Sequence, residues 1–380
     1  MRKAFRYRLY LSDTQAAVAQ AQLDIARELY NACLEERRAC YKTTGKSLTY
    51  YDQANQLKEI RQIRPDVATA NYSMLQAVCR RAHRAFETFY RRRKAGLKGG
   101  YPRFKGYYRF DSITFPAYGD GCKITDARLK LQGVGIVKVK LHRPVEGTIK
   151  TVTLKREVDK WYVVFSCDVG DPVPLPATGQ DVGIDVGLTH FLTTDTGATV
   201  ENPRPFKAAQ RRLRIAQRAL SRKKKAGKRT GCKGGRRGKA RRRVALLHQK
   251  VANTRKDFHH KTARALVDAN DTIYHEDLAI ANMVRNHSLA KAISDAAWGQ
   301  FLMILASKAE GAARQDIGVD PRGSSQTCVC GEPVPKTLGD RWHLCPACGL
   351  SLPRDQVSAQ VIKQRGHRCQ AVTTPMGVVA

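Results

Sequence analysis

"DVGIDVGLTHFLTTDTG", residues 181–197, is the stretch on which the reading of the fold turns. Its first half is an apolar strand carrying one inward acid, Asp185; a turn and a second strand follow. Burying an unpaired carboxylate in such a strand is expensive, so a residue of this kind pairs or holds a metal. The same setting recurs in "TIYHEDL" at 272–278, a short β-type run bearing Glu276. A third acid follows a cysteine segment, "CVCGEPVPKTLGDRWHLCPACGLSLPRD" at 328–355, where the chain passes into a helical pattern whose first turn bears Asp355. Each acid alone could be a helix cap or a surface pair. Three carboxylates from two strands and one helix start are what a two-metal nuclease uses, with hard oxygen ligands suited to Mg²⁺.

The cysteine segment holds two pairs, Cys328 with Cys330 and Cys345 with Cys348, each followed by glycine, Gly331 and Gly349. Four thiolates at this spacing suit a closed, tetrahedral structural Zn²⁺ with no open position for catalysis. The first pair has one residue between its cysteines where a regular knuckle has two, which makes a tighter bite; a reduced cluster of structural cysteines is the competing reading. Cys33, Cys40, Cys79, Cys122, Cys167, Cys232 and Cys369 are scattered singly and read as ordinary thiols in a reducing compartment.

The 380 residues are enough for two or three domains. Lys and Arg number 68 against 33 Asp and Glu, a net charge of +35 and a pI near 10.1. Nucleic acid is the default partner for that balance, because every phosphate contact releases counterions. A ribosome-associated or simply basic soluble protein is the blander reading. No stretch approaches the roughly 18 apolar residues of a membrane helix, and the opening "MRKAFRYRLYLSDTQ" lacks the apolar run of a secretory signal.

Working outward, 14–44 and 70–96 carry helical spacing, with a turn and a shorter helix between them. From 100 to about 170 apolar and polar residues alternate with glycine punctuation, which predicts antiparallel strands, and "GDPVPLPATGQ" reads as a linker. Lys207 to Arg243 holds 18 Lys and Arg and no acid in 37 residues. That run is either a solvated basic segment or a helix pair that clamps nucleic acid, and the missing acids favour the clamp. "YPRFKG" at 101–106 mixes rings with cations and could stack or grip a backbone; an exposed loop would look the same. His259 and His260 point to different helix faces, which favours packing or phosphate contact over metal ligation.

The ordered motifs "VGIDVGL", "LSRKKK", "VANTRKDFHHK", "IYHEDLAIANM", "SDAAWGQF", "GSSQTCVCG", "CPACGL" and "RDQVSAQ" resemble the TnpB family, transposon-encoded RNA-guided nucleases related to type V CRISPR effectors. "FRYRLYLSDTQ", "YNACLEERRACY" and "YPRFKG" extend the likeness over roughly residues 1–365. The resemblance implies an α+β multidomain protein. Residues 1–170 would form a wedge β-barrel with a helical recognition lobe inserted at about 12–98, and 171–180 a linker. Residues 181–320 would form a RuvC-like nuclease domain of RNase H-like fold with a basic helical insert at about 205–262. A zinc ribbon at 321–352, a last RuvC segment at 353–366 and a tail at 367–380 would complete the chain.

By the same resemblance Asp185, Glu276 and Asp355 are the catalytic acids and hold Mg²⁺, while Cys328, Cys330, Cys345 and Cys348 hold Zn²⁺. Tyr50 in "LTYY" and Gln76 in "MLQAV" match positions that read a short DNA motif beside the target. Arg103, Lys105, Arg222, Lys223, Lys224 and Arg255 are the candidate phosphate contacts. The implied activity is Mg²⁺-dependent cleavage of double-stranded DNA, directed by a guide RNA from the transposon end, in a prokaryotic cytoplasm and by a monomeric protein. The third acidic motif departs from the family pattern: Pro353 stands where an acid is usual, and Val357 and Ser358 replace an Asn-Ala step. That departure keeps a nuclease-silent, RNA-guided DNA-binding repressor as the alternative. A strand-transfer transposase would need an end-recognition domain, for which no helix-turn-helix candidate is clear.

Overall fold

The computed structural model describes residues 1–223, 235–337 and 339–373. The chain divides into two compact units, Met1–Asp171 and Pro172–Ala380. Among the described residues no helix is long and apolar enough to cross a membrane.

The first unit begins with strand β1 (Arg2–Tyr10), whose odd positions Phe5, Tyr7 and Leu9 are buried. Five helices follow: α1 (Asp13–Thr44), α2 (Tyr50–Asn55), α3 (Leu57–Ile63), α4 (Pro65–Ala68) and α5 (Tyr72–Lys94). The two long helices coincide with the spacing in the sequence. Helix α1 starts at a reciprocal cap between Ser12 and Gln15 and stops at Gly45, which is left-handed at φ 69°. Strands β2 (Ser112–Phe115), β3 (Cys122–Thr125), β4 (Arg128–Leu131), β5 (Gly135–Lys140), β6 (Thr148–Glu157) and β7 (Lys160–Asp168) complete the unit. The sheet runs β2-β6-β7-β1-β5-β4-β3 and every pair in it is antiparallel. Its edge strands β2 and β3 are not paired to each other, so the sheet is not closed by hydrogen bonds into a full barrel. Its apolar face shares one core with α1 and α5, which gives those side chains the cover that closure would otherwise supply.

The second unit is built on strands β8 (Asp181–Val186), β9 (His190–Thr194) and β10 (Thr199–Glu201), then helices α6 (Pro205–Ser221) and α7 (Arg236–Ala269). Strand β11 (Thr272–Glu276), helices α8 (Ile280–Met283), α9 (Ala290–Ala296) and α10 (Trp298–Gly311), and strand β12 (Gln315–Val319) follow. A short hairpin, β13 (Trp342–Leu344) and β14 (Ser351–Pro353), leads into α11 (Arg354–Thr373). The helix runs on into residues that the sequence reading places in a tail.

The five-stranded sheet has the order β10-β9-β8-β11-β12. β8, β9 and β10 form an antiparallel meander, whereas β11 is parallel to both β8 and β12. The parallel pairs need crossovers, and α6 with α7, then α8 to α10, are the segments that make them. One core lies against the sheet around Phe191, with Phe258 and Phe301 edge-on at 4.8 and 4.9 Å. His259 stacks on Phe191 at 5.4 Å and its Nε2 lies 3.0 Å from the carbonyl of Ala296, so it is a packed residue.

Candidate active site and metal centre

Register explains how two of the acids come side by side, although among the described residues only the four cysteines, and not the acids, bring their ligand atoms within 4.8 Å of one another. β11 pairs β8 in parallel with Thr272 opposite Asp181 and His275 opposite Ile184, and one further residue along sets Glu276 beside Asp185. Both acids therefore sit at the carboxyl ends of adjacent central strands. Gly183 lies two residues before Asp185 and faces the same side. A Cβ there would clash with the carbonyl of Ala359 and meet Lys363 Cβ at 2.8 Å, so glycine is what lets α11 lie on β8. Asp355 is one helical turn before Ala359, on the stripe that faces the strand. A second close approach, of Gly366 to the ring of Tyr274, seats the far end of the helix on β11. Lys363 locks the arrangement, bridging Asp181 at 2.8 Å and Asp195 at 3.0 Å.

The electrostatics follow from that placement. The Asp185 carboxyl is pushed up to about 8, first by burial and then by the negative charges of Glu276 and Asp355, with Arg354 pulling the other way. Burial also raises Glu276, against the hydrogen bond from Ser324 and the charge of Arg365. Ser324 is buried in the turn Ser324–Gln326 and donates its hydroxyl to Glu276. Arg354 reaches Asp355 at 3.3 Å. A cavity of about 330 Å³ opens beside Asp355, lined in part by His190, Thr193 and Arg341. Ser324, Arg354 and Arg365 were not singled out from the sequence. Ser324 does lie in the quoted "GSSQT" motif, and Arg354 directly precedes Asp355.

The four cysteines do converge. Their sulfurs all lie within 4.8 Å of one another, with Cys328 to Cys348 at 3.6 Å and Cys330 to Cys345 at 3.7 Å. A tetrahedron with metal–sulfur bonds of about 2.3 Å has edges of about 3.8 Å, so the donor set fits Zn²⁺. Gly331 and Gly349, both left-handed at φ 95° and 72°, turn the two knuckles. The shortened bite is absorbed in the turn: Gly331 N–H donates to Cys328, three residues back, and Gly349 N–H to Cys345, four back. The Cys345 thiol is held down to about 7, above all by the backbone N–H of Cys348, while burial pushes Cys328 up to about 12. The second knuckle forms the tip of the β13–β14 hairpin, and Arg354 N–H donates to the carbonyl of Arg341 as the chain enters α11. The cysteine cluster thus anchors the segment that delivers Asp355.

Of the candidate nucleic-acid contacts, Tyr50 opens α2 with the Arg80 guanidinium 4.2 Å from its ring centre, and Gln76 lies one turn before Arg80 on α5. Arg103 is exposed and Lys105 half-buried in the loop after α5. Arg222 is exposed at the end of α6; the Lys223 carbonyl accepts from Arg237. Lys224 lies outside the described residues. Arg255 pairs with buried Asp295 at 3.2 Å, and Asp295 also accepts the N–H groups of Phe206 and Lys207 in the first turn of α6. Its visible role is to fix the start of that helix.

A mixed α/β unit with an acid-lined site and a four-cysteine centre is the class of protein these observations define. Residues 164–287 match a family profile described as "Probable transposase", and 298–362 one described as "Cas12f1-like, TNB domain". Residues 1–46 match a profile described as "Helix-turn-helix domain". Here they fold as β1 and the single unbroken helix α1, with no turn between two helices. The chain is 32% identical to a "Putative RNA-guided DNA endonuclease" of Streptomyces pristinaespiralis, over 98% of this chain and 91% of that one. It is 26% identical to "Putative RNA-guided DNA endonuclease InsQ" of Escherichia coli strain K12, over 96% and 92%. It is 25% identical to "TnpB-like protein L770" of Acanthamoeba polyphaga mimivirus, over 60% and 46%. The chain belongs to the TnpB family.

Proposed function

We propose that the chain is an RNA-guided DNA endonuclease whose second unit is an RNase H-like, RuvC-type nuclease. The observation that carries the reading is geometric: parallel register sets Asp185 of β8 beside Glu276 of β11, and α11, which bears Asp355, packs on β8 at Gly183. The meander followed by two parallel strands supports the fold assignment, and the names of the full-length relatives support the activity.

Asp185, Glu276 and Asp355 supply the hard carboxylate oxygens that Mg²⁺ takes, and Arg354 and Arg365 offset part of their charge. When bound, such ions activate a water and stabilise the leaving oxygen of a phosphodiester. Burial and the two neighbouring acids raise the Asp185 carboxyl, so cation uptake there competes with a proton. Ser324 holds Glu276 in place, and Arg354 does the same for Asp355. The Zn²⁺-type cluster keeps the start of α11 over the strands. A nuclease-silent binding protein would have no use for this gathering of acids.

The guide would be an RNA held through phosphate and shape contacts by the cationic surface of a monomeric protein, and the target double-stranded DNA chosen by base pairing. Tyr50 and Gln76 would read the short adjacent motif, while Arg103, Lys105, Arg222, Lys223 and Lys224 would contact phosphates. The test is cleavage of a plasmid bearing a guide-matched target by the chain co-expressed with its flanking RNA. Cutting should require Mg²⁺, fail when Ca²⁺ replaces it, and vanish in Asp185→Ala. Tight binding of RNA and target without a cut in any divalent ion would sink the nuclease reading.

A further inference from the structure

Between Thr88 and Phe110 the chain carries eight Lys and Arg, seven aromatic residues and no acid in 23 residues. The structure makes one surface of part of this segment. After α5 the chain folds back along α1, pinned by a reciprocal pair of bonds: Asn31 Nδ2 donates to the Lys105 carbonyl at 3.0 Å and Lys105 N–H to Asn31 Oδ1 at 2.8 Å. Tyr101 packs edge-on against Phe86 and Phe89, with centroids 5.4 and 5.3 Å away. The Arg38 guanidinium of α1 lies 5.9 Å from the Tyr101 ring centre and 5.5 Å from that of Phe104, joining the two rings. Yet Tyr90, Tyr101 and Phe104 remain 49%, 42% and 46% exposed.

Ring surface left in water to this extent, in a segment that carries eight cations and no acid, suits a ligand that is both flat and anionic. A protein partner with an apolar patch would not need the cations, and a duplex would offer its phosphates but not its base faces. Unpaired nucleotides offer both, because stacking on aromatic rings works with any base and the backbone supplies the charge. We propose that Tyr90, Tyr101 and Phe104, with Arg38 and Arg103, form a stacking platform for unpaired nucleotides. It rests on the nucleic-acid part of the functional reading and is independent of the nuclease centre, which lies in the other unit.

The experiment compares binding of the full chain to oligouridine of about 15 nucleotides and to an abasic phosphate backbone of equal length, across a salt series. Phe104→Ala should weaken oligouridine binding by about 5- to 100-fold, leave abasic binding unchanged, and leave the salt slope unchanged. Phe104→Tyr should restore the affinity. Arg103→Ala should instead weaken both ligands and make the slope shallower by about 0.7. Equal losses on both ligands in Phe104→Ala, or no loss at all, would overturn the platform. A thermal melt matching wild type separates this from misfolding. Repeating the series with the RNA-loaded particle and an unpaired DNA strand tells which strand uses the surface: a loss in RNA loading assigns it to RNA, a loss in strand capture to DNA. An enzyme that cuts normally but shows no base preference refutes this inference alone. One that prefers bases but never cuts refutes the nuclease alone.

Discussion

Ser324 donates its hydroxyl to the carboxylate of Glu276, which ties a turn just ahead of the cysteine cluster to the last residue of a central strand. The bond favours the charged carboxylate, so it opposes the rise that burial causes. Ser324→Ala should therefore move the acidic limb of the cleavage pH profile to higher pH and lower the rate at neutral pH about 10-fold. A rate–pH series on both proteins checks it. An unshifted limb with a reduced plateau would mean that Ser324 acts on something other than Glu276.

Helix α11 depends on two positions without side chains. Gly183→Ala puts a methyl group into the Ala359 carbonyl, and Gly366→Ala puts one into the Tyr274 ring. Each change should destabilise the second unit by about 1–3 kcal/mol through overpacking. Gly183→Ala should also lose most cleavage, because the displaced segment is the one that carries Asp355. Chemical denaturation and cleavage on the same samples separate the two effects.

Metal analysis of the purified chain should find one Zn²⁺ per molecule, and none in Cys345→Ser. Chelation should abolish cutting in a way that Mg²⁺ alone does not restore and Zn²⁺ with Mg²⁺ does. Restoration by Mg²⁺ alone would show that the cysteine cluster does not position Asp355.

His259 provides a pH test of the core. Burial pushes its imidazole down to about 4, below the ordinary value of 6.5. The unfolded chain then binds the proton more readily than the folded one, so the stability due to neutral His259 is whole above about pH 6.5 and lost as pH falls toward 4. The slope from this group is at most about 1.4 kcal/mol per pH unit. Urea midpoints measured from pH 7 to 5 should fall less steeply in His259→Phe than in wild type. Parallel slopes would remove His259 from the account.

Much of the candidate site is legible in one dimension because its rules are local. An acid inside an apolar run declares itself by the expense of burying it, as Asp185 and Glu276 do, and cysteine pairs followed by glycine declare a knuckle. The order of motifs was enough to indicate the family. Sequence could not say that Gly183 and Ala359 touch, that Glu276 comes into register with Asp185, or that Ser324 reaches across to Glu276. Those are contacts between residues far apart in the chain, set by parallel pairing and by the close approach of a helix to a strand. Arg255 makes the same point: that it pairs with Asp295, forty residues further along the chain, is visible only in the fold. Composition and spacing determined what kinds of chemistry the chain carries. Which groups face one another was decided only by packing, since register and helix seating depend on the whole sheet and not on any one segment.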